Sequence, residues 1–103
     1  MKKVVILDPQ ADKEFCKLED DVQDEFLSLI KMLTENGKLE YPDGKKIDKQ
    51  LFEARVKIKN IYRGFYAYIR NNQIVILHLF QKKTQKTPLR NLKLAHKRLK
   101  IYE

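Results

Sequence analysis

The stretch LFEARVKIKNIYRGFYAYIRNNQIVILHLFQKKTQKTP, residues 51–88, decides the fold. Its first nine residues alternate: Phe52, Ala54, Val56 and Ile58 fall on one face, Glu53, Arg55, Lys57 and Lys59 on the other. Period two is the signature of a half-buried strand. Residues 61–70 are aromatic and largely apolar on both faces, as a central strand requires. Asn71-Asn72 tolerates left-handed backbone and suits a tight hairpin into a third strand, 73–80. Three strands joined by short turns make an antiparallel meander. The last of them runs straight into Lys82, Lys83 and Lys86, and like charges gathered at the mouth of an apolar strand mark a seat for an anion. Thr87-Pro88 then supplies an N-cap and a first-turn proline for a final helix. In that helix Leu89, Leu92, Leu99 and Tyr102 are expected to pack inward, with Arg90, Lys93, Lys97 and Lys100 left in water.

Upstream, Lys3–Leu7 reads as a short strand rich in valine and isoleucine. Asp8 is placed to cap a helix that Pro9 opens. Phe15, Leu18, Val22, Phe26, Leu29, Ile30 and Leu33 recur at intervals of three and four, an apolar helical stripe. The acidic run Glu19-Asp20-Asp21 divides it into two helices, and Asn36-Gly37 stops the second. Tyr41-Pro42-Asp43-Gly44 is a turn. The fold class is α+β: a small antiparallel sheet built from a strand, two helices, a three-stranded meander and a C-terminal helix, with the helix pair covering one face. At 103 residues the chain is expected to form one domain, 1–103.

Charge is polarised along the chain. Residues 1–50 carry 9 Lys/Arg against 12 Asp/Glu, whereas residues 51–103 carry 13 against two, Glu53 and Glu103. Such a basic half points to a polyanionic partner, nucleic acid ahead of anionic membrane. No apolar run is long enough for a membrane span or a secretory leader, so the expected location is cytoplasmic. The single cysteine, Cys16, has no internal partner, and no Cys/His spacing fits zinc. Neither a glycine-rich phosphate loop nor a serine or cysteine nucleophile motif is present. With two separated acids in the basic half, a two-metal nuclease is not expected, and no metal or cofactor is anticipated. His78 reads as a sheet residue and His96 as a helix-surface residue.

The chemistry left to the chain is cationic and phenolic. Arg55 and Lys57 share a strand face, Arg63 lies in the next strand, and Lys82 and Lys83 leave the last; a meander can bring them to one end of the sheet. Arginine and lysine donate to phosphate oxygens and stabilise the charge of a phosphorane-like transition state. A lysine crowded by cations has its pKa pushed down and becomes able to transfer a proton. RNA carries its own nucleophile, the 2′-hydroxyl, so this set suffices for its cleavage without a metal. These cations are expected to be exposed, so that replacing them barely moves the melting temperature. Tyr62, Phe65, Tyr66 and Tyr68 can stack on unpaired bases, though Phe65 and Tyr66 read mainly as core.

LFEARVK, IYRGFY and IVILHLFQKKTQKTP, followed by a basic helix ending LKIYE, together resemble the toxins of the RelE/ParE superfamily, in particular the HigB-like, phage-derived-protein branch. The element order agrees over nearly the whole chain. The resemblance implies a small bacterial toxin neutralised by an antitoxin, one that enters the ribosome and cuts messenger RNA without a metal. It implies that Arg55 faces the RNA backbone, that Arg63 stabilises the transition state, and that Lys82 and Lys83 form the basic end of the last strand. Lys57 and Lys86 extend that patch, and His78 falls within the branch's pattern with its role open. Tyr102 is a candidate for proton transfer. The implied partners are an adjacently encoded antitoxin of helix-turn-helix type, the ribosome and messenger RNA. Two other readings stand beside it: a ParE-type inhibitor of DNA gyrase, and a non-catalytic nucleic-acid-binding module.

Overall fold

A computed structural model describes residues 2–83 and 88–103. The elements are β1 (Val4–Leu7), α1 (Pro9–Cys16), α2 (Asp20–Asn36), β2 (Gly44–Lys46), β3 (Phe52–Ile58), β4 (Asn60–Ile69), β5 (Gln73–Lys82) and α3 (Leu89–Leu99), closed by a 3-10 turn at Lys100–Tyr102. They build one five-stranded sheet in the order β1-β5-β4-β3-β2. The meander β3-β4-β5 is antiparallel, as its short turns predict. β1 joins β5 in parallel, with Val4 opposite Gln73 and Leu7 opposite Ile76, so the sheet is mixed. β2 is an addition: three residues, two of them lysines, pair antiparallel with β3.

Local chemistry explains the boundaries. The Asp8 carboxylate accepts from the Gln10 amide at 2.9 Å, satisfying a donor at the start of α1. Asp20 and Asp21 occupy the first turn of α2, where the helix dipole favours negative charge. That helix ends at Gly37, whose φ of 77° only glycine adopts freely. Asn71 and Asn72, with φ of 63° and 60°, turn β4 into β5.

The sheet carries a core on each face. On one, Val22, Phe26, Leu29 and Leu33 of α2 pack on Ala54, Val56, Tyr62, Tyr66, Ile74 and Ile76. Here Gly64 admits the helix: a Cβ would stand 2.6 Å from Leu79 and 3.3 Å from Phe26. On the other face, Ala95 and Leu99 of α3 cover Phe65, Ala67, Val75 and Leu77. Leu89 departs from expectation: it is 71% exposed, and Ala95 takes the inward place. Pro88 flanks α3 rather than opening it, and Thr87 lies outside the described residues.

A bulge in β5 decides which of its side chains share a face with the arginines of β3 and β4. Phe65 pairs with His78 but Tyr66 pairs with Ile76, leaving Leu77 as the extra residue. Such a residue switches the facing of the strand beyond it. Strict alternation from Ile74 and Ile76 would turn His78, Phe80 and Lys82 toward α2. The bulge moves them to the opposite face, the one that α3 covers only in part.

Candidate functional site

Strand register decides which cations meet. Arg55 is paired with Arg63, Arg63 with Phe80, and Ile61 with Lys82, so Arg55, Arg63 and Lys82 share one face at one end of the sheet. Glu53, two residues before Arg55, lies on the same face. Together with Lys45, Lys83, Ile61 and the Tyr41–Pro42 turn they line an open cleft of about 610 Å³.

Two arginines directly across a strand pair repel. Their juxtaposition is tolerated because a carboxylate stands beside them: Arg63 Nη1 donates to Glu53 Oε1 at 2.6 Å. Glu53 is 1% exposed and Arg63 7%, which makes this a buried ion pair. It overturns the expectation that Arg63 is a solvated cation whose loss the fold would not feel. The pair is also incomplete. Glu53 Oε2, Arg63 Nε and Arg55 Nε are buried and have no hydrogen-bond partner among the described residues. Buried polar atoms are nearly always bonded in folded proteins, so three spare valences in one cleft are unusual.

Desolvation lowers the Lys82 ammonium below its ordinary value of 10.5, and the nearby Arg63, Lys45 and Arg55 push it the same way while Glu53 opposes them. The crowding anticipated from sequence is therefore present at Lys82. Lys83 is exposed at the rim. Lys57 is exposed beside Arg55, in a neighbouring recess with Glu25 and Asp43, and does not line the cleft. Lys86 lies outside the described residues.

His78 shares the sheet face of Arg63 but does not reach the cleft. It is buried, its Nδ1 is 2.9 Å from Glu14 Oε2, its Nε2 is 2.6 Å from Asn91 Oδ1, and its ring stacks on Phe80. Held against α3 in this way, it has no free nitrogen to offer RNA. His96 bonds to Asp48 at 2.8 Å, so the two histidines have separate partners. Tyr102 is also remote from the cleft. Its hydroxyl donates to Asp8 Oδ1 at 2.8 Å, and burial together with that acceptor pushes its pKa to about 12.

The aromatics expected to meet bases are mostly core: Tyr62, Phe65 and Tyr66 are buried, and the Tyr68 hydroxyl donates to Gly37 O. Sequence reasoning missed several members of the cleft, among them Lys45, Glu53 and Tyr41. For Glu53 the signal was there, since strand alternation puts it on the face of Arg55. For Tyr41 there was none beyond its place in a turn. Among the described residues, no three His, Cys, Asp or Glu converge in a way that could hold a metal. Nor, among them, is any helix long and apolar enough to cross a membrane.

Residues 13–100 match the family model described as "Phage derived protein Gp49-like". No curated protein matches the chain. Among solved structures it is similar to a mutant of the Escherichia coli toxin RelE in the free state. That match has a TM-score of 0.75 and 18% identity, covering 96% of this chain and 99% of the other. It is also similar to the toxin–antitoxin complex RelBE2 of Mycobacterium tuberculosis (TM-score 0.61, 19% identity, 80% of this chain and 100% of that one). A third likeness is to the archaeal RelE–RelB complex of Pyrococcus horikoshii (TM-score 0.58, 23% identity, 81% and 98%).

Proposed function

Since the chain belongs to the Gp49-like family of phage-derived proteins and has the RelE toxin fold, we propose that it is the toxin of a bacterial type II toxin–antitoxin system: a ribosome-dependent, metal-independent endoribonuclease that cleaves messenger RNA and so inhibits translation. The observation that carries this reading is the cleft itself. Arg55, Arg63, Lys45, Lys82 and Lys83 converge on it, and two buried guanidinium nitrogens in it have no partner among the described residues.

In this reading the 2′-hydroxyl of the message gives up its proton to water and attacks the adjoining phosphorus, closing a 2′,3′-cyclic phosphate as the bond to the 5′-oxygen breaks. Arg63, held by Glu53, faces the phosphoryl oxygens as their charge grows. Lys82, made more acidic by desolvation and its cationic neighbours, delivers a proton to the leaving oxygen, and Lys83 shares the charge. Arg55 holds the RNA backbone, and Lys57 and Lys86 extend the track that guides it. A cognate antitoxin, encoded next to the toxin and of helix-turn-helix type, covers this face or blocks ribosome entry by bulk. One of the similar structures is itself a toxin–antitoxin complex, and another is a RelE–RelB complex.

The test is cleavage of messenger RNA on translating ribosomes by toxin stripped of metal with a chelator beforehand. Cuts should persist, and the Lys82→Ala/Lys83→Ala double variant should cut about 10²–10³-fold more slowly, the range for lost charge stabilisation. Intact messages together with blocked DNA supercoiling would identify a gyrase inhibitor. RNA binding with neither effect would leave a binding module.

A further inference from the structure

We propose that Tyr41 is a base-stacking platform, and that the cleft therefore takes an unpaired nucleotide: base on Tyr41, phosphate on the cations below. This rests on the reading of the cleft as an RNA site and adds the form in which the RNA must arrive.

Tyr41 is 78% exposed, the most exposed large hydrophobic side chain among the described residues, and it stands in the wall of the cationic cleft. Its backbone is nonetheless well anchored. Gly44 N donates to Glu40 O at 3.0 Å across the turn, and Arg55 N donates to Asp43 O at 2.8 Å, tying the turn to β3 beside a cleft arginine. The ring is thus presented on a fixed support, with Pro42 next to it. An aromatic face held in water beside phosphate-binding cations matches the way single-stranded RNA is bound, bases on rings and backbone on positive charge. A duplex keeps its base faces hidden. The three polar atoms of Glu53, Arg55 and Arg63 that have no partner among the described residues point independently to a ligand in the same cleft. Stacking tolerates any base, so adenine should be favoured over uracil only by its larger ring.

The chain contains no tryptophan, so Tyr41→Trp installs a single reporter. The probes are a 2′-O-methyl hexa-adenylate, which lacks the nucleophile and cannot be cut, and an abasic ribose-phosphate oligomer of the same length. Both should bind at low salt, but only the hexa-adenylate should quench the tryptophan. Tyr41→Ala should weaken hexa-adenylate binding about tenfold and leave abasic binding unchanged, while Tyr41→Phe should retain the wild-type affinity. If Tyr41→Ala binds hexa-adenylate as the wild type does, or if the bound oligomer leaves the tryptophan unquenched, the platform is overturned. The cationic cleft survives that outcome provided Lys82→Ala/Lys83→Ala weakens both oligomers. Failure of both oligomers to bind would remove the platform and the RNA reading together.

Discussion

The molecule contains two arginine–glutamate pairs that sequence alone would treat as equivalent. In the first, Arg98 of α3 grips Glu14 of α1 with both terminal nitrogens, at 2.9 and 3.1 Å, and also donates to Leu77 O at 2.8 Å. Glu14 accepts in addition from Leu79 N at 3.0 Å and bonds to His78, which Asn91 holds on its far side. Every carboxylate oxygen is used. In the second pair, Arg63 reaches Glu53 through one bond, and three polar atoms around it have no partner among the described residues. The saturated pair lies where α1, β5 and α3 meet and fastens them together. The unsaturated pair lies in the open cleft, where a ligand can complete it. Spare hydrogen-bonding capacity, more than charge, separates the two pairs.

Breaking one partner of the cleft pair should give the largest effect. Arg63→Ala leaves the buried Glu53 carboxylate uncompensated and should cost about 3–5 kcal/mol. A urea melt reads this directly. An unchanged midpoint would mean that Glu53 finds water instead. Replacing both members with apolar residues of similar size, Glu53→Leu with Arg63→Met, should restore most of that stability, because a buried pair is often no better than good packing. Messenger cleavage should stay lost, which separates the pair's chemistry from its contribution to folding.

The fastener differs in its response to acid. Burial alone would raise the Glu14 carboxyl, but hydrogen bonds from His78, Arg98 and the Leu79 amide hold it down, from 4.5 to about 2. Between those values the unfolded chain binds a proton that the folded chain does not, so this contribution is complete above about pH 4.5 and is lost as pH falls toward 2. Wild type should therefore exceed Glu14→Gln in stability by a constant margin above about pH 5, and the margin should shrink below about 4.5. A margin indifferent to pH would show that Glu14 is not held ionised. At neutral pH the folded variant should still cleave.

Lys82→Ala alone should slow cleavage by about tenfold to 10²-fold with a small change in melting temperature, since its side chain is only partly buried. Activity equal to wild type would reduce Lys82 to a docking charge. The smallest effects belong to Lys57, beside the cleft but outside it. Lys57→Ala should shift stability by less than about 0.5 kcal/mol and lower the salt slope of RNA binding by about one phosphate contact. A loss of cleavage as large as that for Lys82 would extend the site past Arg55.

Most of the fold was legible because the signals are local. Period-two alternation in 51–59, the Asn71-Asn72 turn, Asp8-Pro9 and Gly37 each act within a few residues, and each element formed where they placed it. β2 was not legible: Gly44–Lys46 has no strand pattern of its own and exists because β3 offers it an edge. The exposure of Leu89 was not legible either, because helical spacing gives a period but does not fix which residue of the first turn is covered.

By itself, then, the sequence determined the element order, the antiparallel meander, the face on which Arg55 stands, and the concentration of basic residues in the second half of the chain. Tertiary structure alone decided which charges are spent. Arg98 meets Glu14 across 84 residues and His78 meets Glu14 across 64, while a one-residue bulge puts both His78 and Lys82 on the face of Arg63. There α3 covers the histidine and leaves the lysine to the cleft. The reason is physical. Propensity, capping and alternation arise between neighbours along the chain, whereas burial and hydrogen-bond satisfaction depend on which distant groups share a small volume, and that volume exists only once the sheet has closed on its helices.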